Sequence, residues 1–80
     1  MNNEKEMFLK QFGERVKTCR INCGLTLEEL ANKIGYTSVN ARSSVQKIEA
    51  GKSDLPASKI IKLATALDVS VSYLMGFDEV

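Results

Sequence analysis

Thr26-Leu27-Glu28-Glu29-Leu30-Ala31-Asn32-Lys33-Ile34-Gly35 opens on a capping box. In that arrangement a hydroxyl takes a free amide of the first turn, and the Glu three residues on takes the amide of the cap. Leu27, Leu30, Ala31 and Ile34 then recur at helical spacing, and Gly35 supplies a left-handed stop. After the polar stretch 36–40 comes Ala41-Arg42-Ser43-Ser44-Val45-Gln46-Lys47-Ile48-Glu49-Ala50-Gly51. Ala41, Val45 and Ile48 mark one helical face within about 40–50, again closed by a Gly, while Arg42, Ser43, Gln46 and Lys47 occupy the other. Ser38 or Asn40 can cap this helix.

Outward from this pair, Phe8, Phe12, Val16, Cys19 and Cys23 share one face of a helix from about 4 to 22, with Asn3 and Glu6 as an N-terminal cap and Gly24 as its stop. Gly13 interrupts that span at a cost of about 1 kcal/mol relative to Ala, so the stretch before it can be a separate or frayed turn, and residues 1–6 are expected to be flexible. Both cysteines fall on the apolar side, where a thiol behaves as a small hydrophobe. On the other flank Pro56 suits a first helical turn, and Ile60, Leu63, Ala64 and Leu67 form a stripe over about 56–67. Ser70 can cap a last short helix through Val71, Tyr73, Leu74 and Met75, followed by Gly76 and a tail, 77–80. No strand pattern or internal repeat is present. The class is all-α, five helices joined by short polar turns.

Eighty residues suffice for one fold unit, expected to be a single domain over 1–80. Eleven Lys and Arg against ten Asp and Glu leave a formal charge of +1, so total charge points to no partner. Its distribution is less even: Lys33, Arg42, Lys47 and Lys52 face only Glu49 between residues 31 and 53, four against one for a local +3. There is no His, and two cysteines alone cannot complete a zinc site, so neither metal, cofactor nor enzymatic chemistry is expected. The N-terminus lacks the basic start and apolar run of a secretory signal, no segment has the roughly 20 apolar residues of a membrane span, and two cysteines fit a reducing cytoplasm.

The second and third helices with their turn form a helix-turn-helix, Ala31 being the small residue that permits close crossing. In order and spacing the chain resembles the Cro and repressor-type regulators of phages and bacteria, the XRE family. The residues that carry the likeness are Arg20, Gly24-Leu25-Thr26, Glu29-Leu30-Ala31, Ile34-Gly35, Val45, Ile48-Glu49-Ala50-Gly51-Lys52, Leu63-Ala64-Thr65-Ala66-Leu67 and Val69-Ser70-Val71-Ser72-Tyr73-Leu74. The resemblance implies a lambda-repressor-like DNA-binding domain and a sequence-specific, non-enzymatic repressor of Cro or immunity type, occupying a double-stranded operator in the cytoplasm of a bacterial or phage-infected cell. It also implies a homodimer, at least on DNA, with half-sites about 34 Å apart; Val71, Leu74, Met75 and Phe77 either form that two-fold contact or close the core, the commoner fate of apolar residues at helical spacing.

Carried over position by position, the resemblance places base contacts at Arg42, Ser43, Gln46 and Lys47. Phosphate contacts fall at Ser44, Lys52 and Ser53, with Thr26 at the start of the second helix; Tyr36 in the turn can touch phosphate or stack on a sugar, or else simply pack beside the turn. It pairs Arg20 with Glu49 in a structural salt bridge. Leu27 replaces a Gln common among relatives, and Asp54 stands where several carry a cation. The family places about five residues between the Gly ending the second helix and the residue matching Val45, whereas here nine intervene; the extra four are close to one helical turn, an insertion at 36–41. Ala41 continuing the Val45 and Ile48 face favours a partly helical insertion. The alternative function on the same fold is a helical module that binds a protein, such as an antirepressor or toxin partner, with no DNA readout.

Overall fold

The computed structural model describes residues 3–77, apart from the side chain of Asn3. Expectations for residues 1–2, for the Asn3 cap and for the tail beyond Phe77 lie outside the described residues. The elements are α1 (Asn3–Asn22), α2 (Leu27–Lys33), α3 (Ala41–Glu49), α4 (Ala57–Leu67) and α5 (Val71–Met75), with no strand among the described residues.

α1 runs unbroken through Gly13, against the expectation of a separate turn. A Cβ at Gly13 would lie 2.4 Å from the carbonyl oxygen of Ile48 and 2.6 Å from that of Glu49. The bare Cα is what lets the last turn of α3 lie directly on α1. Just beyond, Gly51 (φ +77°) sits so close to α1 that a Cβ would fall 2.7 Å from the Lys10 Cα. Two glycines therefore bring the end of α3 into backbone contact with α1, and only glycine fits such an approach.

Cys23 departs from its expected place. α1 ends at Asn22, the chain turns left-handed at Gly24, and Cys23 rides out on the turn, exposed, its Sγ 3.4 Å from the Leu67 carbonyl oxygen, while Cys19 stays buried. At α2 both halves of the capping box form: Glu29 N–H donates to Thr26 Oγ1 at 3.0 Å, and Thr26 N–H to Glu29 Oε1 at 2.8 Å. α3 has no such cap. Asn40, at the N-cap, has φ −94° and ψ 9°, outside the extended geometry that aims a side chain at the first-turn amides. Ser38 is used locally, its Oγ accepting from Asn40 N–H at 3.2 Å. Ala41 is the first residue of α3, and residues 34–40 form a non-helical connection. Pro56 is one position earlier than expected, at the N-cap of α4 and not inside its first turn. Ser70 caps α5, accepting from Tyr73 N–H at 3.0 Å.

The five helices close on one core: Phe12, Val16 and Cys19 from α1, Leu30 and Ala31 from α2, Ala41, Val45 and Ile48 from α3, Leu63, Ala64 and Leu67 from α4, and Leu74 from α5, with Ile34 just past α2. Burying each such Leu, Ile or Val contributes about 1.5–3 kcal/mol. Ala31 is fully buried where α2 meets α3, the small side chain required for close crossing. Leu74 is also fully buried, so it cannot belong to a two-fold contact; Val71, Tyr73 and Phe77 are the exposed apolar side chains of that end. Helical phase explains the correction: on the five-residue α5 Leu74 points into the core, and Met75, also expected at the two-fold contact, is half-buried against it.

Candidate nucleic-acid interface

α3 is sharply two-sided. Ala41, Val45 and Ile48 lie in the core, while Arg42, Ser43, Gln46 and Lys47 are all exposed. No hydrophobic driving force holds those four polar side chains in place, so they are free to meet another molecule.

The direction of α3 is set at its C-terminal end by an ion pair. Arg20 Nε donates to Glu49 Oε2 at 2.7 Å and Nη2 to Oε1 at 3.3 Å, a two-pronged contact between α1 and α3. Arg20 Nη1 also donates to the Leu25 carbonyl oxygen at 2.9 Å, so the same guanidinium fixes the turn leading into α2. The side chains are only 13% and 8% exposed, which separates this pair from ordinary surface ion pairs. The planar guanidinium suits such a fork, and Lys, as a point charge, would not reproduce it.

The start of α2 joins the same surface. Arg42 lines a hollow with Arg20, Thr26, Leu27 and Glu28, and Gln46 lines a second with Lys17, Arg20, Leu27 and Glu49. Lys17 and Glu28 belong to this surface although nothing in the sequence pattern singled them out; both are merely exposed polar positions on their helices. The surface is therefore mixed in charge, with Glu28 beside Arg42.

The other sequence-derived candidates are more dispersed. Ser44 is half-buried and its hydroxyl donates to the Asn40 carbonyl oxygen at 3.1 Å, which commits its proton to the turn. Thr26 is exposed, but its oxygen already serves the α2 cap. Tyr36 is half-buried, with Lys59 Nζ 4.2 Å from its ring centroid, so this ring is tied to α4 by a cation–π contact. Lys52 is exposed and Ser53 half-buried in the connection after α3. Asp54 in that connection is paired with Lys5 of α1 at 3.0 Å, which offsets the acidic charge. Among the described residues no cluster of three or more His, Cys, Asp or Glu is placed to hold a metal.

A family model described as Helix-turn-helix (HTH_3) matches residues 16–74. The chain is 38% identical over 66 residues to an uncharacterized HTH-type transcriptional regulator, YobD, of Bacillus subtilis (strain 168), a match covering 82% of this chain and 55% of the relative. It is 34% identical over 64 residues to YonR, an SPbeta prophage-derived uncharacterized HTH-type transcriptional regulator of the same strain, covering 80% of this chain and 56% of the relative. The chain thus spans about half the length of these two relatives. Among solved structures it is similar to the restriction-modification controller protein C.AhdI from Aeromonas hydrophila, with a TM-score of 0.73 and 38% identity over 82% of this chain and 94% of that one. It is also similar to an HTH_3 family transcriptional regulator from Vibrio cholerae, with a TM-score of 0.76 and 27% identity over 92% of this chain and 39% of that one.

Proposed function

The chain belongs to the HTH_3 helix-turn-helix family of regulators, the XRE group, which is not an enzyme class, and we propose that it is a sequence-specific double-stranded DNA-binding regulator, a repressor of Cro or immunity type that occupies an operator. The observation that carries this reading is the exposed face of α3, four polar side chains on a helix whose opposite face is in the core. Arg42 donates two bonds to a guanine, Gln46 pairs with an adenine edge, and Ser43 and Lys47 make less selective base contacts. Ser44, Lys52, Ser53, Thr26 and Tyr36 position the duplex through phosphate. Ser44 and Thr26 act there through the atoms their internal bonds leave over.

One α3 reads half a site, and a homodimer joined through Val71, Tyr73 and Phe77 places two of them about 34 Å apart. No helix of the described residues is long and apolar enough to cross a membrane. The setting that fits this function is the cytoplasm of a bacterial or phage-infected cell.

Selection of duplexes from a random pool, followed by anisotropy titrations in a salt series, tests the proposal. Affinity for the selected duplex should fall linearly in log[salt], with a slope of about 0.9 per phosphate contacted. Arg42→Ala should weaken the selected site by about 1–3 kcal/mol and relax one base position, whereas Lys52→Ala should weaken all duplexes alike and lower the slope by about 1. No enriched duplex, or a flat salt response, would refute it in favour of a protein-binding module.

A further inference from the structure

Val39 is 98% exposed, the highest value of any large apolar side chain among the described residues. It lies in the connection between α2 and α3, two residues before Ala41 begins α3. The backbone around it is fixed. Asn40 N–H donates to Ser38 Oγ at 3.2 Å, Ala41 N–H to the Ser38 carbonyl oxygen at 3.1 Å, and the Ser44 hydroxyl to the Asn40 carbonyl oxygen at 3.1 Å. The last of these bonds ties the turn to the first turn of α3. Valine is β-branched and stiff at χ1, so the turn presents a rigid apolar knob at the N-terminal end of α3.

In the free protein this knob removes no apolar surface from water. Residues 34–41 carry no charge of their own, with Lys33 and Arg42 on either side. The segment's own side chains therefore offer no cation to phosphate; Lys59 of α4 meets it at the Tyr36 ring, 4.2 Å from the centroid. What it offers is apolar contact, placed directly ahead of Arg42 and Ser43.

We propose that Val39 is a further specificity-determining residue, whose methyl groups pack on the C5-methyl group of one thymine in the major groove. This inference rests on the DNA-binding function proposed above. The N-terminal end of a recognition helix is the part that meets base edges, and the thymine methyl is the apolar group those edges display there. A knob fixed two residues ahead of that end meets the base pair next to those met by Arg42 and Ser43. The longer turn thereby adds an apolar contact ahead of the hydrogen-bonding side chains of α3.

The test uses a duplex that the wild-type chain selects from a random pool. Each thymine is replaced singly by deoxyuridine, which removes only the methyl group, and binding of the wild-type and Val39→Ala chains is measured by anisotropy. At one position per half-site, deoxyuridine should weaken the wild-type chain about fourfold, the effect of one methyl-sized group leaving apolar contact. Val39→Ala should bind the unmodified duplex at least that much more weakly and be indifferent to deoxyuridine at that position, with an unchanged melting temperature. Deoxyuridine effects that persist undiminished in Val39→Ala, or that are absent at every thymine in the wild type, overturn this inference alone. Failure of the wild-type chain to enrich any duplex overturns the DNA-binding function, and this inference with it.

Discussion

Replacing Gly13 by Ala puts two effects in direct opposition, and the structure decides between them. In an exposed helix interior, Gly→Ala stabilises by about 1 kcal/mol, because alanine restricts the unfolded chain and favours the helix. At Gly13 the added Cβ would stand 2.4 Å from the Ile48 carbonyl oxygen, 2.6 Å from that of Glu49 and 2.8 Å from the Glu49 carbonyl carbon. Ordinary contact begins near 3.4 Å, so the shortest of these is 1.0 Å too close (3.4 minus 2.4). All three atoms are backbone, and no rotamer change relieves the overlap; α1 and α3 must move apart. Overpacking of a well-filled interior costs about 1–3 kcal/mol, and rigid partners place this case at the upper end. Setting about 3 against the gain of about 1 leaves a net loss of roughly 2 kcal/mol, or about 8–16 °C in melting temperature for a chain of this size. Denaturant and thermal unfolding of Gly13→Ala measure it. A variant as stable as the wild type, or more so, would show that α3 does not lie on α1 as described.

The Arg20–Glu49 pair should behave as a buried one: Arg20→Met leaves a carboxylate that is 8% exposed without its partner and should lower unfolding free energy by about 3–5 kcal/mol, while the double variant Arg20→Met/Glu49→Leu should recover much of the loss. A single-variant loss below about 1 kcal/mol would place the pair with ordinary surface ion pairs. Thr26→Ala removes the acceptor of the Glu29 amide and should cost about 1 kcal/mol, seen as a melting temperature lower by about 4–8 °C. Burial, and secondarily the neighbouring Cys23, pushes the Cys19 thiol above its ordinary value, so the folded state holds that proton more tightly than the unfolded chain does. The associated stability is complete below the ordinary thiol range near about 8.5 and is lost as pH rises through the raised value; Cys19→Ala should flatten the alkaline decline in unfolding free energy.

Periodicity was sufficient for the helices whose apolar residues are spaced for burial: Leu30, Ala31 and Ile34, then Val45 and Ile48, then Leu63, Ala64 and Leu67 all reach the core their spacing assigns. Caps were legible where the side chain itself does the work, as at Thr26 and Ser70. Asn40 misled because capping depends on backbone angles that residue type does not specify. Gly13 misled for a different reason. Helix propensity registers only its local cost, whereas its benefit comes from Ile48 and Glu49, far along the chain. Leu74 and Cys23 lie near the helix ends that their spacing predicts, but a shift of one residue in phase or in the helix stop moves a side chain between core and solvent. Lys17 and Glu28 had no signal at all, since exposed polar residues become a surface only when folding places α1 and α2 beside α3.

The two ends of α3 are held by different kinds of contact, and this predicts where sequence change is tolerated. At the C-terminal end the contacts are backbone on backbone at Gly13 and Gly51, reinforced by a largely buried ion pair. At the N-terminal end, beyond the small side chain of Ala41 in the core, the chain is held by bonds among Ser38, Asn40 and Ser44, all within the turn and the first turn of α3. A helix clamped at one end keeps its direction whatever side chains the other end displays. Substitutions at Ser43 or Gln46, which are exposed, should therefore shift unfolding free energy by no more than about 0.5 kcal/mol while changing which duplex is selected. Gly51→Ala should do the reverse. Its Cβ would meet the Lys10 backbone at 2.7 Å in a left-handed conformation, so stability should fall first, and any loss of duplex binding should be recovered under conditions where the variant is fully folded. If instead Gly51→Ala altered the selected sequence while leaving stability intact, the clamp would lie elsewhere on α3, and the separation between anchoring and displaying ends would fail.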